Sequence, residues 1–137
     1  MSKILLTGGT GLVGVALIAR LIAQGHEIYS LTRHPAESSN NIFSLKGDIL
    51  ELDLGIRPVP MIVDFDACYH LAAVMNLGED RKGNIWRTNV VGTENVVNFC
   101  AKQGIPHIFF CSTAYTRGRN VYERSKEYCE NIIKSLN

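Results

Sequence analysis

Two side chains near the carboxyl end of the sequence have the types and the spacing for proton transfer. Tyr122 and Lys126 stand four residues apart in YERSK, so a helix places both on one face. A phenol with an ordinary pKa of about 10 exchanges protons poorly at neutral pH unless a nearby cation stabilises its anion, as Lys126 could. Thr113 could hydrogen-bond the reacting oxygen while Tyr122 transfers the proton. The alternative is an exposed helix face, the usual meaning of such a pair taken alone.

The amino-terminal stretch TGGTGLVG predicts a dinucleotide site. Its glycines at positions 8, 11 and 14 stand between an apolar run and a helical pattern. An early glycine permits the tight turn, a middle one lets the backbone approach a pyrophosphate, and the last lets helix and strand pack closely. Free N–H groups at the start of the helix then bind the phosphates. The alternative is a glycine-rich turn without function. The predicted cofactor-binding residues here are Thr7, Gly8, Gly9, Thr10, Gly11, Leu12, Val13 and Gly14.

Arg33 is the residue from which we predict the kind of dinucleotide. In such sites an acid at the tip of the second strand binds the 2′-hydroxyl of the adenosine ribose, whereas an arginine accommodates a 2′-phosphate. Here the strand ends Leu31, Thr32, Arg33, with no acid at its tip. The sequence therefore favours NADP(H), with NAD(H) and a merely solvated arginine as alternatives. Hydride would pass to or from the nicotinamide beside Tyr122.

The elements that must position these residues alternate along the chain. Apolar runs predict strands at 3–6, 26–32, 42–46, 67–73 and 107–111. Helical spacing predicts helices at 11–24, 84–103 and 121–136. The segment 51–66 fits no helix, because Gly55, Pro58 and Pro60 interrupt it. Alternating strands and helices predict an α/β fold, a doubly wound parallel sheet of the Rossmann type with about five strands.

Polar residues collect where a ligand of such a sheet should lie. Thr7, Arg33, Asp48 and Ser112, together with the apolar Ala72, all fall at or just past the carboxyl ends of predicted strands. Ligands of doubly wound sheets bind beyond those ends.

Composition narrows the class of protein. A chain of 137 residues fits one domain, here a single dinucleotide-binding domain over residues 1–137. Lys plus Arg (14) nearly balance Asp plus Glu (13), so no net field favours nucleic acid or a charged membrane. The apolar stretches are shorter than the ~20 residues of a bilayer span, and the start lacks a signal-peptide pattern. We expect a cytoplasmic protein without nucleic-acid or membrane partners.

The cysteines predict no metal site. Cys68, Cys100, Cys111 and Cys129 are spread singly, without a CxxC pair or a histidine at zinc-like spacing. Reduced and mostly buried thiols are therefore expected, with disulfides or a metal site as the alternative.

Six motifs, taken in order, resemble the extended short-chain dehydrogenase/reductase family, in its epimerase/dehydratase-like form. They are TGGTGLVG, GDI at 47–49, YHLAA at 69–73, NVVGTENVV at 89–97, CSTAY at 111–115 and YERSK at 122–126. The details LDLGI, STAY and NVYERSKEYCE are most similar to the branch that holds thioester reductases and fatty acyl reductases.

The resemblance implies contacts at the adenine and cofactor walls. Asp48 and Ile49 would contact the adenine, and Leu71, Ala72 and Ala73 would line the cofactor by their backbone. The alternative for Asp48 is the capping of a turn.

The resemblance also implies roles at the reaction end. Thr113, Tyr122 and Lys126 would be catalytic, and the last two would also contact the cofactor. Ser112 would lie beside the nicotinamide, and Asn89 would help order the site. The alternatives are a strand-end serine and an asparagine that satisfies backbone groups of its own helix.

The chain departs from that family in length. Family members are longer, and their carboxyl-terminal half supplies most of the substrate pocket, so we expect the substrate-binding domain to be absent. Only eight residues separate Thr113 from Tyr122, which span at most ~26 Å, so the predicted set can still meet. The short 51–66 crossover leaves one sheet face thinly covered. By resemblance, we expect a homodimer through the helices 84–103 and 121–136.

Two functions stay open on the sequence. The first is an NAD(P)-dependent oxidoreductase or epimerase acting on a carbonyl, alcohol, thioester or nucleotide sugar, with Tyr122 as general acid or base. The second is a dinucleotide-binding module without turnover, or a fragment without its substrate domain. A nucleic-acid binder would need a basic stripe that this sequence lacks.

Overall fold

Five strands form one parallel sheet in the computed structural model, which describes residues 1–57, 63–75, 78–114 and 117–136. The strands are β1 (Lys3–Thr7), β2 (Glu27–Thr32), β3 (Ile42–Lys46), β4 (Ala67–His70) and β5 (Ile108–Phe110). Their order in the sheet is β3-β2-β1-β4-β5, and every neighbouring pair is parallel. The chain leaves β3 at one edge and returns beside β1 with β4, which is the order of a doubly wound Rossmann sheet. The predicted fold class is confirmed.

The helices follow the predicted segments with one local departure. They are α1 (Leu12–Ala23), α2 (Asn84–Trp86), α3 (Gly92–Gln103) and α4 (Val121–Lys134). A π-helical turn (Arg87–Val91) joins α2 to α3 without a break in helical backbone angles. The single helix predicted over 84–103 therefore contains a wider turn, a feature often found at functional sites. No helix in the described part of the chain is long and apolar enough to cross a membrane.

The core has two halves, one on each face of the sheet. Residues of β1 alternate between them, since Ile4 and Leu6 pack with Leu21 of α1, whereas Leu5 packs with Val96 and Phe99 of α3. A central parallel strand covered on both faces is apolar throughout, which explains why β1 has a continuous apolar run.

The first part of the crossover from β3 to β4, as far as residue 57, has an unusual backbone conformation. A 3-10 turn (Leu52–Gly55) contains Asp53 at φ 51° and Leu54 at φ 57°, both in the left-handed region. Leu54 is fully buried in the α3 half of the core, and burial of this kind can hold a strained conformation. The predicted breakers Pro58 and Pro60 lie outside the described residues.

The strand predicted at 67–73 is shorter than expected. β4 ends at His70. The next N–H group, of Leu71, is shared between the Thr7 carbonyl at 3.1 Å and the Thr7 hydroxyl at 3.2 Å, and the Ala72 N–H donates to that hydroxyl at 3.2 Å. The ladder with β1 therefore ends at Leu71, and residues 71–74 form one wall of a cleft.

Candidate functional site

A cleft of about 560 Å³ lies at the carboxyl ends of the strands, just beyond the neighbouring strands β1 and β4. The lining residues come from the ends of the first four strands or the turns after them, except Thr88, which lies in the π-helical turn: Thr7, Gly8, Gly9, Thr10, Gly11, Leu31, Thr32, Arg33, His34, Gly47, Asp48, Ile49, Leu50, Leu71, Ala72, Ala73, Val74 and Thr88. Most of the predicted cofactor-binding residues are therefore together. Those that do not line it are Leu12, Val13, Gly14, Asn89, Ser112, Tyr122 and Lys126.

The glycine turn brings backbone against backbone at the foot of the cleft. Gly8 has φ +77°, and a Cβ there would lie 2.6 Å from the Ala72 nitrogen. Gly14 is buried, and a Cβ on it would lie 2.9 Å from the Gly9 Cα, so the last glycine allows α1 to pack closely against the turn that follows β1. The spacing of the glycines thus reflects two separate close contacts.

The start of α1 is open towards a ligand. Gly11 is its N-cap, and no side chain caps the helix there. A Cβ on Gly11 would meet only the Gly8 carbonyl oxygen, at 3.5 Å, so this position is clear on the cleft side. Uncapped N–H groups at the positive end of a helix are suited to bind phosphate.

The tip of β2 presents a cation to the cleft. Arg33 is exposed, and His34 beside it donates its backbone N–H to the Thr32 hydroxyl at 3.1 Å. Three neighbours of the predicted arginine also line the cleft, although the sequence did not lead us to predict them: Leu31, Thr32 and His34.

The Asp48 turn is held from beneath by α3. The Asp48 carboxylate accepts the backbone N–H of Leu50 at 2.9 Å. Asp48 therefore caps a turn, as the alternative from the sequence had it, and it also lines the cleft. Asn95 donates its amide to the Ile49 carbonyl at 2.8 Å. A Cβ on Gly92 would lie 2.6 Å from Ile49 Cδ1, so that glycine makes room for the side chain.

A buried histidine that the sequence did not single out joins β1, β4 and α3. His70 Nδ1 lies 2.6 Å from the Thr7 hydroxyl, and its Nε2 lies 2.9 Å from the Thr93 hydroxyl. Thr93 donates its one proton to the Asn89 carbonyl at 2.6 Å, so it accepts from the Nε2–H of His70. Nδ1 then accepts the Thr7 proton.

The charge state of His70 agrees with this assignment. Its side chain is 1% exposed, and burial, with the nearby Lys126 cation, lowers its pKa to about 3. A neutral imidazole has one donor and one acceptor, which is what the two threonine hydroxyls require. The sequence feature that could have identified this histidine is its position within the YHLAA motif.

Asn89, in the π-helical turn, links the cleft wall to α4. Its Oδ1 accepts the Val74 N–H at 2.7 Å, and its Nδ2 donates to the Val74 carbonyl at 3.0 Å and to the Ser125 hydroxyl at 2.9 Å. Ser125 donates in turn to the Tyr122 carbonyl at 2.7 Å. The side chain therefore binds other elements, rather than its own helix as the alternative had it.

The residues predicted for the reaction end lie on α4 and just after β5. Lys126 is 3% exposed, donates to the Cys111 carbonyl at 2.6 Å and lies 4.4 Å from the centroid of the Phe110 ring. Burial lowers its pKa. Tyr122 is half-buried one turn earlier on α4, and Thr113 is half-buried just beyond β5. Their catalytic roles stay predictions.

Ser112 and the cysteines complete this region. The Ser112 hydroxyl donates to the Glu130 carboxylate, so it is engaged by the protein. Three of the cysteines are buried and Cys111 is half-buried, all as free thiols. Tyr115 of the CSTAY motif lies outside the described residues.

Comparison with known proteins places the chain in a family. The model of the NAD dependent epimerase/dehydratase family matches residues 4–135. A 2-alkyl-3-oxoalkanoate reductase of Stenotrophomonas maltophilia is 29% identical over 81% of this chain and 33% of its own length. A UDP-glucose 4-epimerase of Streptomyces lividans is 30% identical over 85% of this chain and 37% of its own length. The chain thus spans about a third of these relatives.

Solved structures share the fold. The UDP-glucose 4-epimerase of Bifidobacterium longum, in complex with NAD+ and UDP, superposes with a TM-score of 0.84 at 18% identity. MoeE5 in complex with UDP-glucose and NAD superposes with a TM-score of 0.82 at 21% identity. Each match covers 98% of this chain and about half of the other, 49% and 48% respectively. The assignment to the thioester and fatty acyl reductase branch stays a prediction. By its sequence, and in agreement with its fold, the chain belongs to the NAD dependent epimerase/dehydratase family.

Proposed function

We propose that this chain is the dinucleotide-binding part of an oxidoreductase or epimerase and holds NAD(P) in the cleft beyond β1 and β4. The observation that carries the proposal is the uncapped start of α1, opening on that cleft beside Gly8. A Cβ at Gly8 would fill the turn against Ala72, so the residues present fit a group that needs close backbone approach.

The finer proposal is a preference for NADP(H). Arg33 is exposed at the edge of the cleft, where a ribose 2′-phosphate needs a cation. Among the described lining residues the one carboxylate is Asp48, and it accepts the Leu50 N–H. No acid therefore stands beside Arg33 in this lining to bind a free 2′-hydroxyl.

We further propose that Tyr122 moves the proton, with Thr113 hydrogen-bonding the reacting oxygen. The nicotinamide, when bound, supplies or takes up the hydride. Lys126 provides a cation one turn from Tyr122 on the same helix, and the Cys111 carbonyl fixes its amine. Asn89 and Ser125 hold the backbone of Tyr122 relative to the cleft wall.

A second candidate is a dinucleotide-binding module without turnover. Two polar side chains of the reaction end favour it, because each already has a hydrogen-bond partner within the protein. Lys126 donates to the Cys111 carbonyl, and Ser112 donates to the Glu130 carboxylate. Substrate contacts by these groups would require those bonds to exchange.

Calorimetric titration of the purified chain with NADPH and with NADH tests cofactor binding. We expect NADPH to bind more tightly, and Arg33→Ala to weaken NADPH by roughly tenfold or more while leaving NADH nearly unchanged, because only the 2′-phosphate loses a charge-assisted bond. Arg20→Ala, an exposed arginine on α1, is the matched control. Equal affinities for both nucleotides would refute the preference, and no binding of either would refute the proposal.

Turnover is tested with carbonyl, alcohol, thioester and nucleotide-sugar probes by following nicotinamide absorbance. Tyr122→Phe should abolish any activity found, whereas Tyr128→Phe, on the exposed face of the same helix, should not. Intact cofactor binding without turnover of any probe would instead support the module.

A further inference from the structure

Two side chains one turn apart on α4 hold two consecutive residues after β5. Lys126 Nζ donates to the Cys111 carbonyl at 2.6 Å, and Glu130 accepts the Ser112 hydroxyl. We call these two bonds the β5–α4 staple. Because Lys126 and Glu130 belong to α4 and Cys111 directly follows β5, the staple ties the point where the chain leaves the sheet to that helix, one residue before Thr113.

Glu130 also bears on the charge of Lys126. Burial lowers the pKa of that lysine, and its neighbours Cys111, Cys129 and Glu130 act in the opposite direction. On the sheet side it faces the Phe110 ring. His70, on β4, is buried and neutral at ordinary pH. Glu130 is thus the carboxylate among the described groups that act on this amine. Its other oxygen lies 3.9 Å from the Nζ of Lys134, an exposed lysine one turn further along α4.

We propose that Glu130 is a positioning residue of the reaction end, acting through Ser112 on the place of the β5 exit and through its charge on Lys126. Ser112 donates its single hydroxyl proton to Glu130, so the hydroxyl forms part of the staple and does not donate to a substrate. This rests on the proposed function, since the reaction end matters only if Thr113, Tyr122 and Lys126 act there.

Two conservative variants separate the two effects. Glu130→Gln keeps an acceptor oxygen for Ser112 but removes the charge, whereas Ser112→Ala keeps the charge but removes the bond. Glu127→Gln, an exposed glutamate on the same helix, is the matched control. Both readouts work without ligand: hydrogen exchange of residues 108–114 by mass spectrometry, and the pH titration of the Lys126 Cε resonance in ¹³C-lysine-labelled chain, assigned by its loss in Lys126→Met.

Opposite patterns are expected from the two variants. Ser112→Ala should speed exchange at 108–114 by roughly tenfold and leave the Lys126 titration in place. Glu130→Gln should keep exchange close to that of the unaltered chain and move the Lys126 titration to lower pH. An unmoved titration in Glu130→Gln, or unchanged exchange in Ser112→Ala, would overturn the proposal. Failure of both NADPH and NADH to bind, with both patterns intact, would instead refute the proposed function alone.

Discussion

At the scale of single residues, His70 joins the ends of two strands to a helix. Its two ring nitrogens contact Thr7 and Thr93, and both hydroxyls have a further backbone partner. The sequence offered only a histidine within an apolar run, which is compatible with many environments. Its partners come from positions 63 residues before and 23 residues after it, so only the packed fold brings them together.

His70 should make the protein less stable in acid. Its folded pKa of about 3 lies below the ordinary value of 6.5, so below pH 6.5 the unfolded chain takes up a proton that the folded chain does not. The stabilising effect is complete above pH 6.5 and is lost progressively towards pH 3. Between pH 8 and pH 5 this group should lower the free energy of unfolding by about 2 kcal/mol.

Urea unfolding at pH 8, 7, 6 and 5 measures this loss. His70→Gln is the comparison, because its amide can still accept from Thr7 and donate to Thr93 but does not titrate. We expect the variant to show a pH dependence flatter by about 2 kcal/mol over this range. Parallel curves for the two proteins would contradict a neutral buried imidazole.

At the scale of elements, the turn between β1 and α1 requires a residue without a side chain at position 8. Gly8 (φ +77°) and Gly25 (φ +85°) both have left-handed backbone, but a Cβ on Gly25 would meet nothing within 4 Å. Alanine at either position pays a strain of about 1 kcal/mol. Only Gly8→Ala also drives a methyl group into the backbone of Leu71 and Ala72.

The free energy of unfolding should therefore separate the two alanine variants. We expect Gly8→Ala to lose about 2 kcal/mol more than Gly25→Ala, because rigid backbone cannot yield to the added methyl. Gly8→Ala should also lose nucleotide binding, and Gly25→Ala should retain it. Equal losses of stability would show that the β1–α1 turn can open without cost.

Much of this element order could be predicted from hydrophobic spacing, and the exceptions have physical reasons. The five strands and the strand–turn–helix at Gly8 follow from apolar runs and glycine spacing. The π-helical turn at Asn89 does not, because one added residue barely alters a helical pattern. Left-handed Asp53 and Leu54 were also missed, since neither residue type signals that backbone unless tertiary packing enforces it.

The candidate site could be predicted in part, for a similar reason. A local motif such as TGGTGLVG specifies its own turn, so its place in the cleft followed from the sequence. The partners of Lys126 and Ser112 lie 15 and 18 residues away, on other elements, and no local pattern encodes them. We could predict that Tyr122 and Lys126 share a helix, but not that Cys111 would hold the amine.

At the scale of the whole molecule, an apolar patch on the helices is consistent with the homodimer that we propose. Trp86 of α2 is 39% exposed and Tyr128 of α4 is 46% exposed, with their rings 5.5 Å apart. Val91 of the π-helical turn is exposed as well. Exposed aromatic side chains of this kind are enriched at protein interfaces.

Sedimentation velocity at micromolar concentration tests the dimer. We expect a dimer of the 15.2 kDa chain, and Tyr128→Lys should weaken it by roughly tenfold or more, because a charge would then lie in an apolar contact. Val15→Lys, an exposed apolar position on α1, is the matched control and should leave association unchanged. A monomer at all accessible concentrations would rule the dimer out.

The strand order also has a consequence for the time course of folding. β1 and β2 are joined through α1 alone, so their pairing closes a short loop, whereas the pairing of Thr7 with His70 spans 63 residues. Closing a longer loop costs more chain entropy, and such non-local pairings form slowly. The glycine turn can therefore form with the first β–α–β unit, and the cleft becomes complete only when β4 docks. A nucleotide present during folding would bind at that last step and draw the chain towards its native state.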